Sequence, residues 1–260
     1  MLKNNITIVT GGAGSGIGHG LSTVLAEYHA TVLVVEKDLP LMNKLVKKLK
    51  SKGHKAEGYQ CDIARGQELN STVQTILDKH GRIDSLVNSA GVGLVRPVHQ
   101  CTDEDFERII SIDLYGTFAF CRAVIPSMAK RKKGNIVNIS SVHSVRTTEN
   151  YGLYAGAKAG VDGLTRGLAV QYGPNGIRVN SVQPGFVDGP QSRHLIGQFA
   201  KDVRGWIESF TSQRQCLNHL IQAREIGEVV AFLLSDRSAC ITGASIPADA
   251  GILALLTSKN

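Results

Sequence analysis

Tyr154 and Lys158 lie four residues apart in YGLYAGAKAG, and Ser141, in NISSVHS, comes 13 residues before Tyr154. Residues four apart on a helix share a face. A phenol that titrates near pH 10 exchanges protons poorly at neutrality. An ammonium beside it stabilises the phenolate and lowers that pKa, which makes proton exchange with an alcohol or ketone feasible. Ser141, at a strand end across one loop, can hold the substrate oxygen. A Tyr–Lys pair at helical spacing means little by itself; the serine upstream is what makes it a candidate catalytic set. His143, two residues beyond Ser141, has two readings. It packs or faces solvent, or it shares a substrate cavity with Ser141 and Tyr154. There an imidazole can hydrogen-bond a second hydroxyl or, when charged, a carboxylate.

A second constellation lies upstream. TGGAGSGIG at 10–18 stands between the apolar run ITIV and the amphipathic LSTVLAEY. Gly12, Gly16 and Gly18 form G-x-x-x-G-x-G at a strand-to-helix turn, where missing Cβ atoms let the backbone approach a phosphate pair at the helix start. Glu36 ends the next strand-like run, 20 residues beyond Gly16. A carboxylate at that distance can accept both hydroxyls of an adenosine ribose, and it repels a 2′-phosphate. NAD is therefore expected over NADP, although Lys37 beside it could tolerate a phosphate. Asp62 in CDIA could accept from an adenine amino group. Asn88 in NSAG ends a further strand, with small Ala90 and Gly91 letting a ribose pass close. Each of these three, taken singly, also reads as an ordinary strand-end turn residue.

Elements must hold these groups along one edge. Strand-like and helix-like segments alternate through the chain, from ITIVT to a short closing strand near ASIPAD. That alternation predicts an α/β protein, a doubly wound Rossmann-like fold with a central parallel sheet. No linker, repeat or low-complexity tract divides it, so residues 1–260 are read as a single domain. The polar stretch 189–222 is read as a substrate lid; Trp206 and Phe210 within it, four apart, serve either lid packing or substrate contact.

The whole chain resembles the short-chain dehydrogenase/reductase family: glycine turn, Glu36, CDIA, NSAG, ISS, Y-x-x-x-K, NSVQPG and ITGASIPADAG. The resemblance implies hydride transfer between a nicotinamide and a secondary alcohol or its ketone. Tyr154 would be the acid/base and Ser141 the substrate anchor, with Lys158 on the nicotinamide ribose. Pro184, Gly185 and Val187 would lie against the nicotinamide, and Ser15, Ile17 and Ile63 would join the cofactor contacts. It also implies a homo-oligomer, a tetramer or dimer, built on helices near 104–130 and 153–172. A similar S-V-H stretch occurs in members acting on sugars, and a histidine there also occurs in those acting on short hydroxy acids; a small polar substrate is expected. Some positions depart from the family. Gly11 stands where a threonine is expected, with Thr10 displaced by one. Asp113 in SIDLYG replaces an asparagine of the proton relay, and Gly189 replaces a threonine at the carboxamide. Asp113 is counted with the catalytic residues, and its charge could oppose the effect of Lys158 on Tyr154. These departures leave open a nucleotide-binding protein with weakened or lost catalysis.

Composition narrows the classes further. The chain carries 42% hydrophobic and 20% charged residues, enough for a sizeable core. Its net charge of +7 comes largely from KLVKKLKSKGHK at 44–55 and KRKK at 130–133. In the first, Leu41, Leu45 and Leu49 mark an apolar helix face opposite the lysines; the second ends a helix, where cations suit the dipole. Neither interleaves aromatics, so no nucleic-acid partner is expected. The five scattered cysteines fit reduced thiols, and no metal spacing occurs. No leader is recognised at MLKNNITIVTGG and no segment approaches the roughly 20 apolar residues of a membrane span. A cytoplasmic protein without a membrane partner is expected.

Overall fold

The computed structural model describes residues 1–257. Seven strands form one parallel sheet: β1 (Ile6–Thr10), β2 (Thr31–Glu36), β3 (Ala56–Gln60), β4 (Ser85–Asn88), β5 (Gly134–Ile139), β6 (Ile177–Pro184) and β9 (Ser245–Ala248). Their order across the sheet is β3-β2-β1-β4-β5-β6-β9. The strand order reverses between β1 and β4, and their carboxyl ends form the crevice where ligands bind in such sheets. The doubly wound parallel sheet read from the sequence is the fold observed.

Successive residues of a strand point to opposite faces, so each central strand feeds two cores. Val9, Val34 and Val137 meet one face, covered by α1 (Gly18–Glu27), α2 (Leu39–Ser51) and α9 (Ala223–Leu234). Ile8, Leu33, Val35 and Ile136 meet the other, covered by α3 (Gly66–His80), α5 (Gly116–Lys130) and α6 (Gly152–Tyr172). Full burial on both sides is why β1 and β2 read as near-continuous apolar runs.

Three details differ from the sequence reading. On α2 the buried stripe is Met42, Leu45 and Leu49, whereas Leu41 is exposed. At 3.6 residues per turn a spacing of four drifts around the helix, so Leu41 has left the face that Met42 occupies. The segment 189–222 is largely helical, with α7 (Pro190–Gly197) and α8 (Val203–Arg214) followed by β8 (Ile221–Gln222), which pairs with β7 (Val187–Asp188). The helices are short and mostly polar, with few fully buried side chains (Ile196 on α7, Ile207 and Thr211 on α8), too thin a stripe to show as a period. The run Asp103–Lys130 also has the length and mean apolarity of a membrane span, closer to one than the sequence reading allowed. Half of its most apolar window is buried in the molecule, and its α5 part packs on α3 and α6, as a core helix does.

That run is not uniform. α4 (Asp103–Ile109) begins with a capping box between Thr102 and Asp105 and continues into one π-helical turn, Ile110–Tyr115, before α5. Such turns add a residue to a helix and re-aim its side chains. Asp113 lies in it, fully buried.

Candidate active site

The glycine turn is shaped by contacts that leave no room for side chains. Gly11 has φ +60°, and a Cβ there would lie 2.7 Å from the Cα of Ala90. A Cβ on Gly18 would run into the Gly11 carbonyl, and one on Gly12 would lie 2.8 Å from the Val9 carbonyl. Gly11 thus absorbs the departure seen in the sequence by turning left-handed against NSAG. The displaced Thr10 braces the turn instead. Its Oγ1 accepts from the Ser89 N–H (3.1 Å) and the Ala90 N–H (3.2 Å), tying β1 to the turn after β4. Ile17 is the residue before α1, Gly16 is partly exposed, and Ser15 is exposed at the turn's outer rim.

Glu36 ends β2, with little exposure. Its Oε1 accepts from the backbone N–H of Lys37 (2.9 Å) and of Asp38 (3.4 Å). Its Oε2 is the oxygen nearer the glycine turn, 3.8 Å from where a Gly14 Cβ would be. One carboxylate oxygen is anchored and the other faces the crevice.

The remaining cofactor candidates divide. Asp62, two residues past β3, accepts from the Ala64 N–H through Oδ1 (3.1 Å), while Oδ2 lies 3.8 Å from Arg65. Ile63 is buried against Gly116. Asn88 is turned inward: Nδ2 donates to Asn138 Oδ1 (2.9 Å), and its own Oδ1 is buried without a hydrogen-bond partner among the described residues. Its side chain therefore braces β4 against β5, and its neighbours Ala90 and Gly91 line the edge. Pro184 closes β6, Gly185 packs against the Asp249 backbone, and Val187 opens β7.

The proposed catalytic residues converge. Ser141 follows β5, is buried, and its Oγ accepts from the His143 N–H (3.2 Å). Tyr154 and Lys158 share a face of α6, with the ammonium 5.6 Å from the phenol ring centroid. The Lys158 Nζ donates to the Ile139 carbonyl (3.2 Å) and lies 3.3 Å from Asp113 Oδ2. Asp113 Oδ1 accepts from the Val92 N–H at 2.8 Å. A Cβ on Gly91 would lie 3.2 Å from Nζ and 3.4 Å from Oδ2, so NSAG passes directly over the ion pair.

These contacts set the protonation tendencies. Burial raises the Tyr154 pKa; Lys158 and a hydrogen bond from Ser141 pull it down, Asp113 pushes it up, and the balance stays above the ordinary value. Burial alone would lower the Lys158 pKa, but Asp113 and then Tyr154 reverse this and hold the ammonium charged. Burial raises the Asp113 pKa against the opposing pull of Lys158 and the Val92 N–H. The lysine therefore acts on Tyr154 as one end of a neutralised pair, which is weaker than a free cation.

His143 stacks on Tyr151 (centroids 4.2 Å, 15°) and meets Tyr154 edge-on at 5.8 Å. Its Nδ1 lies 2.9 Å from Thr147 Oγ1, and burial lowers its pKa. Tyr151 was not singled out from the sequence, although its place three residues before Tyr154 was visible there. Trp206 and Phe210 stack at 5.0 Å and both meet Phe186, so these α8 aromatics pack on one another and on the turn after β6.

A family model described as enoyl-(acyl carrier protein) reductase matches residues 12–253. This chain is a short-chain dehydrogenase/reductase. The 3-oxoacyl-(acyl-carrier-protein) reductase of Thermotoga maritima is 31% identical over 252 residues, covering 97% of this chain and 99% of the relative. The cyclopentanol dehydrogenase of Comamonas testosteroni is 32% identical over 256 residues, 97% and 98% of the two chains. Among solved structures, levodione reductase superposes with a TM-score of 0.90 at 29% identity, covering 98% of this chain and 99% of its own. NAD+-bound xylitol dehydrogenase gives 0.90 at 28% identity, covering 96% and 99%. As a short-chain dehydrogenase/reductase, the protein is an oxidoreductase of alcohols and ketones that uses a nicotinamide cofactor.

Proposed function

We propose that the protein is an NAD-dependent dehydrogenase/reductase of a small, polar, hydroxylated substrate such as a sugar, polyol or hydroxy acid. The observation that carries the chemistry is the meeting of Ser141, Tyr154 and Lys158 beside Gly91 at the carboxyl edge of the sheet. The cofactor, when bound, supplies a nicotinamide ring that accepts or donates hydride. Ser141 holds the substrate oxygen. Tyr154 takes the hydroxyl proton as the alcohol is oxidised and returns it to the carbonyl oxygen on reduction. Lys158 holds the phenolate and the nicotinamide ribose.

The residues present suit a dinucleotide. The turn from Gly11 to Gly18 is a bare cradle at the start of α1, where the helix dipole favours a diphosphate. The free oxygen of Glu36 supports NAD over NADP, because a 2′-phosphate would meet a carboxylate. NAD+-bound xylitol dehydrogenase among the structural neighbours fits both this cofactor and a polyol. His143 supports the substrate class: burial keeps it neutral, so it offers a hydrogen bond to a second hydroxyl more readily than a charge to a carboxylate. On this reading the segment 189–222 is the substrate lid, the protein is a homo-oligomer, and it works in the cytoplasm.

The test is to incubate the protein with NAD+ and a panel of sugars, polyols, hydroxy acids and cyclic alcohols, following the absorbance of the reduced nicotinamide. Turnover with at least one hydroxylated substrate, lost in Tyr154→Phe, supports the proposal. A second reading, a nucleotide-binding protein with weakened chemistry, draws on Asp113, whose charge keeps the Tyr154 pKa up, together with Gly189, which offers no side chain where the family has a threonine. It predicts tight NADH binding with no turnover on any panel member, unrelieved by Asp113→Asn.

A further inference from the structure

The first helix of the lid reaches across the crevice. A Cβ on Gly16, in the turn after β1, would lie 2.7 Å from Gln191 Oε1. The Nε2 of the same side chain donates to the Gly91 carbonyl, in the turn after β4, at 3.5 Å. One amide therefore touches both banks at the point where the strand order reverses. Beside it, Gly189 has no space for a side chain, since a Cβ there would lie 2.9 Å from the Ser15 carbonyl. No side chain at 189 can serve a ligand below, so the lid's polar group at this crossing is the one two residues on. Gln191 is also exposed, and its bond to Gly91 is long, which makes it a contact easily exchanged for a better one.

We propose that Gln191 is the cofactor clamp of this protein: its amide leaves the Gly91 carbonyl and donates to the diphosphate of the dinucleotide, holding the lid shut over it. This rests on the cofactor reading above. The Gly16 and Gly91 banks are those between which a diphosphate at the start of α1 must pass. The Gln191 amide lies between these banks, and with a donor to spare it can turn from the Gly91 carbonyl to an anion held there. An uncharged donor also leaves the net charge of the crevice unaltered, so NAD+ and NADH are held alike by this contact.

The experiment is stopped-flow binding of NADH followed through the emission of Trp206, the one tryptophan, which lies on α8 of the lid. Gln191→Ala should weaken NADH about five-fold, the size of one lost hydrogen bond, and mainly through faster dissociation. Gln191→Met, similar in size without a donor, should match Gln191→Ala. Gln191→Glu should weaken binding further, more so at low salt, because a carboxylate would face the diphosphate. Adenosine, which lacks the diphosphate, should bind all four proteins alike. If Gln191→Met keeps the original affinity and dissociation rate, or if adenosine loses as much as NADH, the clamp is wrong. If the unsubstituted protein binds no NADH at all, the cofactor reading itself fails, a separate outcome.

Discussion

The Lys158 ammonium nitrogen lies 3.3 Å from Asp113 Oδ2, and both side chains are buried, Asp113 completely. A buried pair of this kind gains specificity of placement more than stability. Here it fixes both the lysine and its electrical effect. The Nζ is held by Asp113 and the Ile139 carbonyl, and what Tyr154 feels is a dipole.

The pH dependence follows. On the proposed mechanism alcohol oxidation needs the Tyr154 phenolate, so its rate should rise with pH through the phenol's pKa, which burial and Asp113 hold above the ordinary value. Asp113→Asn removes the charge that raises this pKa. The rising limb of kcat for oxidation should move to lower pH, while reduction, which needs the protonated phenol, should begin to fall earlier. Measured kcat–pH profiles in both directions check this; superimposable limbs would contradict it.

Cofactor choice should depend on Glu36. The carboxylate should hold NADPH at least about ten-fold more weakly than NADH. Glu36→Ser keeps a small hydrogen-bonding group without the charge, and the gap should narrow several-fold, chiefly through tighter NADPH binding. Fluorescence titrations with both reduced cofactors decide the matter. Equal affinities in the unsubstituted protein would remove the basis for preferring NAD.

Stability in acid should depend on Asp84. Burial would raise its pKa, but the Ile6 N–H (2.9 Å), Arg82 (3.1 Å) and Arg131 (2.8 Å) hold it below the ordinary value. A carboxylate depressed on folding contributes fully above its unfolded pKa, near 4, and the contribution is lost as pH falls through the folded value. Asp84→Asn should therefore cost about 1–3 kcal/mol near neutrality. The difference should shrink below about pH 4. Urea unfolding at several pH values reads this out, and a constant difference would speak against the ion pairs.

The fold was largely legible because both faces of the sheet are buried, which makes β1 and β2 largely apolar, with amphipathic helices between the strands. The site was legible where spacing along one element governs it, as with Tyr154 and Lys158 on α6. Contacts between distant segments were not. Nothing local in SIDLYG announces a π-helical turn, yet that turn sets Asp113 against Lys158. Asn88 reads as a crevice residue from its place at a strand end, but its partner is Asn138, 50 residues away. Helices α7 and α8 leave little trace in the sequence because few of their side chains are buried: Ile196, Ile207 and Thr211. Gln191 had no signal at all, since its bridge depends on two turns brought together by the sheet.

In the proposed reaction the Tyr154 hydroxyl carries the proton while the dinucleotide carries the hydride. The most direct measurement compares single-turnover rates of Tyr154→Phe and the unsubstituted protein on the best panel substrate, with NADH affinity measured alongside. The phenylalanine variant should be slower by about 10²–10⁴, with NADH binding largely retained. A phenylalanine variant that turns over within a few-fold of the original, with its cofactor bound, would contradict it.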